Sequence, residues 1–321
     1  MPLFFFFSGY FFNVDKYSFG KFAYRKIKSL YVPFVIWSLL LLSIHNVLIK
    51  YHISDGNIID LHTFKLLAFR IIFQMRQSEP LLGTFWFLVQ LFFINFLAYF
   101  IFYVKKKIEN RWIGMRYVNI IDVLIIFMLL VASVLFRRFD QNIPRLDIFI
   151  FGDFCYITLL SLSFFVIGNI LSKNTFWKHR LSFVISCIVI VFLGNSFHEM
   201  IDLKARYIPI YFFIAICGIN FVYIISKFIG NKFRYINITL AYVGDKSLNI
   251  MVLHLIAFKI VSYMIILDNN LSIDILSSHP VIENVQWYWS FIYILMGVVL
   301  PLFLEKIYSC FKCSFLLKHI K

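Results

Sequence analysis

His254 and Ser247 stand seven residues apart in an apolar stretch. That spacing puts both on nearly the same face of a helix, with the imidazole about 10 Å from the helix start. An ionisable group at membrane depth is costly, faces a protein interior and marks function by default; the plainer reading is an imidazole hydrogen-bonded within the bundle. His198, Glu199 and Asp202 form a polar knot in NSFHEMIDLKAR. A carboxylate beside an imidazole suits proton abstraction from a hydroxyl, which makes Glu199 a candidate base and His198 a candidate binding residue; a solvated loop explains the same residues. The His-Glu step has no second histidine four residues after the first, so it is no zinc-peptidase motif, and no metal is expected. Arg25, Lys26 and Lys28 precede an apolar run. Such a cluster sets membrane orientation, and at a helix N-terminus it can also hold phosphate through side chains and free backbone N–H groups. Trp86 opens another run, where an interfacial belt explains it and ring stacking on a bound ligand is the sharper use.

These groups must be positioned by helices. The chain has 321 residues, of which 61% are hydrophobic, 20% aromatic and 15% charged. A soluble domain carries about 25% charged and about 45–50% apolar residues, so the surplus must face lipid. The fold class expected is an all-α membrane protein, a polytopic helical bundle of about nine transmembrane segments in a single embedded domain over residues 1–321. The segments are a stub at Met1–Phe12 and eight fuller runs: Leu30–Ile49, Phe85–Val104, Ile120–Phe136, Ile148–Leu171, Leu181–Leu193, Tyr207–Phe228, Ser247–Leu267 and Trp287–Leu304. The patch Thr63–Met75 is interrupted by Lys65 and Arg70 and reads as an interfacial amphipathic helix.

Charge alternates between the connections. Lys and Arg collect in Val14–Ser29, in the run after Val104, in SKNTFWKHR, in KFIGNKFRY and in the tail, whereas the intervening loops hold most of the acids. Basic loops stay cytoplasmic, so the pattern supports the segment count and puts the C-terminus in the cytoplasm. The formal net charge of +15 follows from those loops, and no nucleic-acid partner is expected. Within the runs, Gln90 and Asn95 are expected to hydrogen-bond between helices, Asp122 and Asp153 to sit at helix starts for capping, and Lys259 to pair with an acid or extend toward an interface. Cys310 and Cys313 form a lone pair with only His319 near, short of a zinc site.

Four stretches, in order, resemble the integral-membrane acyltransferase family 3, in its branch similar to fucose O-acetylases: MPLFFFFSGYFF, YRKIKSLYVPFVIWSLL, GTFWFLVQLF and LAYVGDKSLNIMVLH. The resemblance spans Met1 to about His254. It implies a bacterial inner-membrane enzyme that moves an acyl group, acetyl above all, from acetyl-CoA to a sugar hydroxyl of a cell-surface polysaccharide or its lipid-linked precursor. It makes Arg25, Lys26 and Lys28 the residues that hold the CoA phosphates and His254 a group lining the core; Trp86 and His198, by their own residue types, are then candidate acceptor contacts. Acetyl-CoA is then a donor substrate, with no permanently bound cofactor.

The family's pattern also has a helix closing in Gly-His ahead of the first stretch and a further His directly before Met-Pro-Leu, and this sequence starts at Met1, after both. The expectation is ten spans in a complete member, and a chain that lacks the family's usual acid/base histidines through a missing first helix or a miscalled start. A glycan flippase, polymerase or other transporter shares the composition, and a non-catalytic remnant is the third reading.

Overall fold

The computed structural model describes residues 1–77, 79–112, 118–142, 153–172, 180–194, 203–278, 280–283 and 285–318. Among them the regular structure is helical throughout, and the molecule is an all-α polytopic membrane bundle. In chain order the helices are α1 (Pro2–Tyr10), α2 (Phe19–Lys26), α3 (Val32–Lys50), α4 (Leu61–Gln74), α5 (Trp86–Trp112), α6 (Val118–Asn142), α7 (Asp153–Ser172), α8 (Arg180–Leu193), α9 (Ile208–Lys232), α10 (Arg234–Asp245), α11 (Ser247–Asp268), α12 (Ile275–Ser278) and α13 (Trp287–Lys318). Each expected run falls on one of them, except that residues 148–152 of the run Ile148–Leu171 lie outside the described residues. Six stretches among the described residues are long and apolar enough to cross a bilayer: Phe19–Lys50, Pro80–Glu109, Ile120–Phe139, Ala205–Lys232, Ser247–Asp268 and Trp287–Ile307. Tyr156–Ser172 and Ser182–Leu193 are shorter apolar helices.

Three basic connections are helical where the sequence suggested loops. Residues 19–26 form α2, which runs through a π-turn at Ile27–Tyr31 straight into α3. The lysines after Val104 continue α5 to Trp112. KFIGNKFRY shrinks to the single residue Phe233 between α9 and α10. In each case charged residues with good helix propensity extend an apolar helix beyond its hydrophobic stretch, so composition marks where the apolar run ends and not where the helix does.

The chain folds as two compact units. The first comprises Met1–Leu30 and Val89–Phe233. Its tightest pair is α1 on α7, held by two glycines. A Cβ on Gly9 would overlap the Phe165 carbonyl, and one on Gly168 would overlap the Phe6 carbonyl. Small residues that let helix backbones touch are the usual solution where lipid removes the hydrophobic drive for association. Asn169 Nδ2 then donates to the Phe12 and Gly9 carbonyls at 2.7 and 3.3 Å, closing the end of α1, and Phe5 and Phe6 are buried. Thr158 of α7 donates to Gln90 Oε1 of α5 at 2.7 Å, the interhelical bond expected of Gln90. Asn95 instead donates to Leu91 of its own helix. Asp122 is no cap: it is buried on α6 and paired with Lys105 of α5, because a carboxylate away from water needs a cation. The side chain of Asp153 lies outside the described set, as do those of Cys310 and Cys313.

The second unit comprises Tyr31–Leu88 and Arg234–Lys321. Here α11 packs along α13, around Val261, Ile265, Trp289 and Tyr293. The 3₁₀ turn Pro80–Phe85 also lies on α11. α4 packs on α3; Tyr31 Oη donates to the Ile72 carbonyl at 2.6 Å, and Ile71 is the buried residue of α4. That leaves an exposed apolar edge at Leu66, Phe69 and Phe73, as expected of an interfacial amphipathic helix. Asp60 caps α4 by accepting from the Thr63 N–H at 3.0 Å, and the Thr63 hydroxyl together with that N–H holds its carboxyl below the usual range.

Candidate functional site

The second unit brings two of the expected site residues onto neighbouring elements. Thr84 Oγ1, in the 3₁₀ turn, donates to the Met251 carbonyl of α11 at 3.2 Å. Trp86, two residues further, opens α5 and is half-buried. His254 lies three residues beyond Met251 on α11 and is also half-buried. So one hydrogen bond fixes the turn that delivers Trp86 against the helix that carries His254.

The geometry at His254 decides its chemistry. Nδ1 lies 3.0 Å from the Ile250 carbonyl. A carbonyl only accepts, so Nδ1 carries the proton, and in the neutral ring Nε2 carries the lone pair. The ring meets Phe258 edge-on at 5.4 Å, and Phe258 meets Tyr293 at 5.5 Å, also edge-on. Gly297 of α13 makes room for this stack, since a Cβ there would lie 2.6 Å from the Phe258 ring. Tyr293 is pinned in turn: its hydroxyl lies 2.6 Å from Ser262 Oγ and accepts from the Ile282 N–H at 3.2 Å. The imidazole is thus oriented by a backbone bond and an aromatic ladder, with one nitrogen left to accept a proton. Ser247, expected on the same face, is exposed at the start of α11 and makes no bond to it. Beside it, Lys246 pairs with Glu305 of α13 at 2.7 Å, which raises the lysine above its ordinary range.

Lys259 is buried on α11, and its Nζ donates to the Leu276 and Ser277 carbonyls at the end of α12, with Asp55 acting on its charge. The terminal carbonyls of a short helix thus add acceptors to the acid that was expected.

The basic cluster lies in the first unit. Arg25 and Lys28 are exposed and Lys26 is half-buried. The Arg25 guanidinium sits 4.6 Å from the Tyr17 ring centre, and the Lys16 and Lys21 ammoniums each lie 5.6 Å from the same ring. Lys26 lies 5.7 Å from Phe22, itself stacked on Tyr99 at 4.9 Å. The expected helix N-terminus is absent. Arg25 and Lys26 end α2, and the next backbone N–H, of Ile27, is already bonded to the Ala23 and Tyr24 carbonyls. His198 and Glu199 lie outside the described residues.

The amino-acid sequence matches the family described as an acyltransferase domain, type 3, over residues 1–306. The chain belongs to acyltransferase family 3. No curated protein matches it, and no solved structure does. In this acyltransferase-family chain, the Ser-Gly step of the first family-like stretch has a structural reason, because Gly9 is where α1 touches the α7 backbone. The last stretch ends at the oriented His254.

Three buried ionisable residues of this family member were not singled out in the sequence. His45 of α3 and Glu79 are both buried and lie 2.9 Å apart, Nδ1 to Oε1. Its other nitrogen, Nε2, lies 3.1 Å from the Asn57 carbonyl. The 51–60 loop reaches the ring through Gly56, whose φ of 138° suits glycine and where a Cβ would stand 3.8 Å from His45 Cε1. Burial pushes the Glu79 carboxyl above its ordinary range, and His45 offsets only part of that rise. The third group is Arg137, buried on α6, which donates Nε to the Leu203 carbonyl at 2.9 Å and lies over the Tyr156 ring at 4.4 Å. A histidine or arginine inside an apolar run is the signal that could have found two of them. Glu79 sits in an ordinary-looking loop and carries no such signal.

Proposed function

We propose that the protein is a membrane O-acyltransferase that moves an acyl group, acetyl in the first instance, from acyl-CoA to a sugar hydroxyl of a cell-surface glycan or its lipid-linked precursor. Family membership supplies the reaction class. The observation that carries the residue assignment is the fixed tautomer of His254, with Nδ1–H on Ile250 and a lone pair on Nε2. In the transfer, the sugar oxygen attacks the thioester carbonyl and Nε2 takes the hydroxyl proton. The C–S bond breaks, and the proton passes to the departing thiolate, so that ester and free CoA leave in balance. General-base help of this kind contributes about 10²–10⁴-fold.

Arg25, Lys26 and Lys28 hold the CoA phosphates through their side chains, a reading supported by the exposure of Arg25 and Lys28 and by Lys16 and Lys21 beside Arg25 on the Tyr17 ring. Trp86 stacks on the acceptor sugar, with His198 and Glu199 as further acceptor-side groups. The setting is a bacterial inner membrane with the C-terminus cytoplasmic, read from the alternation of basic and acidic connections.

The test is transfer of radiolabelled acetyl from acetyl-CoA to lipid-linked glycan in proteoliposomes of the full chain. Transfer that falls about 10²-fold or more in His254→Ala supports the assignment. Transfer unchanged in that variant removes His254. Glycan movement across the vesicle membrane without acetyl-CoA, and with no acetyl transfer, would make the protein a transporter instead.

A further inference from the structure

Helix α10 is the one long helix of the second unit with no buried residue. Residues 231–242 are exposed without a break. The exposed set includes Tyr235, at 87%, together with Ile236, Ile238, Leu240 and Tyr242. At 100° per residue, Tyr235, Ile236, Leu240, Tyr242 and Val243 share one side of the helix, while Ala241 lies opposite its centre, with Arg234, Asn237, Gly244, Asp245 and Ile238 on that other side. A surface helix normally buries such a stripe, and among the described residues of its unit this one does not bury it.

Its neighbours in sequence restrict what can cover it. Phe233 alone separates α10 from α9, and Lys246 alone separates it from α11. Both flanking helices are among the six apolar enough to span. If each crosses once, the end of α9 and the start of α11 lie at the same face of the bilayer. Twelve residues make about 18 Å of helix, too short to cross the roughly 30 Å of hydrocarbon. So α10 stays at that face, within one residue of the lipid boundary at both ends. The cations around it are Lys227, Lys232, Arg234 and Lys246, against Asp245 within the helix and Glu305, which Lys246 already engages. Lys232 extends over the Phe228 and Phe233 rings at 5.5 and 6.0 Å, as a cation does at an interface between apolar and polar surroundings.

We propose that α10 is an in-plane membrane helix, with its Tyr235–Ile236–Leu240–Val243 side seated in the headgroup–acyl boundary and its basic flanks on anionic lipid headgroups. An amphipathic helix with one apolar side and basic flanks binds in this way, and polybasic segments at a membrane are drawn to anionic lipid.

The experiment uses the full chain in nanodiscs of phosphatidylcholine and phosphatidylglycerol, with photoreactive p-benzoylphenylalanine at Ile236 or, on the opposite side of the helix, at Ala241. Both sites are exposed, so the fold is preserved, and a single size-exclusion peak checks it; Tyr235 is the replacement site should the Ile236 variant fail that check. The expected result is a lipid adduct by mass at Ile236, several-fold above that at Ala241, and a several-fold preference for phosphatidylglycerol over its share of the disc. Cross-linked dimers at Ile236 would overturn the proposal in favour of a second copy of the chain. No lipid adduct at either site would overturn it in favour of a helix in water, and equal adduct at both would overturn it in favour of a helix without a seated side. No outcome depends on acyl transfer.

Discussion

Two imidazoles in the second unit are held in opposite ways. His45, near the end of α3, is engaged at both ring nitrogens: Nδ1 lies 3.1 Å from Glu79 Oε2, and Nε2 lies 3.1 Å from the Asn57 carbonyl. His254, near the start of α11, is bonded at Nδ1 to the Ile250 carbonyl of its own helix. A ring engaged at both nitrogens fixes two chain segments and leaves neither nitrogen for a substrate. A ring that donates from one nitrogen is a base with a set direction. Burial alone would have ranked them the other way, since His45 is the more buried of the two. The difference lies in how many acceptors each ring meets, which is why the proton-accepting role is assigned to the less buried histidine.

The largest effect is expected from breaking the His45 end. His45→Ala leaves the Glu79 carboxylate buried without its partner. Removing one member of a buried pair costs about 3–5 kcal/mol. Thermal unfolding in detergent, or proteolysis of the opened state, should show that loss at neutral pH. The loss should shrink on acidification, because Glu79 can then take a proton and no longer buries a charge. A variant as stable as the parent would mean that the pair contributes nothing, and the comparison would collapse.

A smaller effect is expected from Glu79 itself. Its folded carboxyl is raised above the ordinary 4.5. Above 4.5 and up to its folded value, the folded state binds more protons than the unfolded one, so stability falls as pH rises through that window. Glu79→Gln should flatten the slope there while retaining a hydrogen-bonding partner for His45. A slope that persists in the variant would assign it to another acid. Asp60 works in the opposite sense: its carboxyl is lowered by the Thr63 bonds, so its contribution is present above the unfolded value and is lost as pH falls through the folded one. The two slopes are therefore separable by Asp60→Asn.

Much of the bundle was legible in the sequence because lipid imposes a coarse rule. A helix must be apolar for about 20 residues to span, and α3, α5, α6, α9, α11 and α13 each announce themselves that way. α10 did not, since its apolar residues are fewer and lie between lysines, which reads as a loop when only run length is scored. The family-like stretch ending at His254 falls on α11, and the structure adds the Nδ1 bond to Ile250 that no sequence pattern announces. His45 was visible as an ionisable residue in a span, but Glu79 lies 34 residues further on, and no local spacing links the two. The basic cluster shows a third kind of failure. The residues Arg25, Lys26 and Lys28 were found, while the backbone donors expected beside them are consumed by the π-turn that joins α2 to α3.

The smallest effect on stability, and the sharpest test of the comparison, comes from His254→Gln. The ring gives up one hydrogen bond to its own helix, worth about 1 kcal/mol net, and part of its edge contact with Phe258. Unfolding should therefore shift far less than in His45→Ala, although both variants remove an imidazole from the same unit. Glutamine can still donate to a carbonyl but offers no basic nitrogen, so it separates the two uses of the ring. Acetyl transfer that falls in His254→Gln with unfolding nearly unchanged would mark Nε2 as chemically employed. A stability loss as large as that of His45→Ala would show instead that both imidazoles brace the fold, and that the lone pair on Nε2 is incidental.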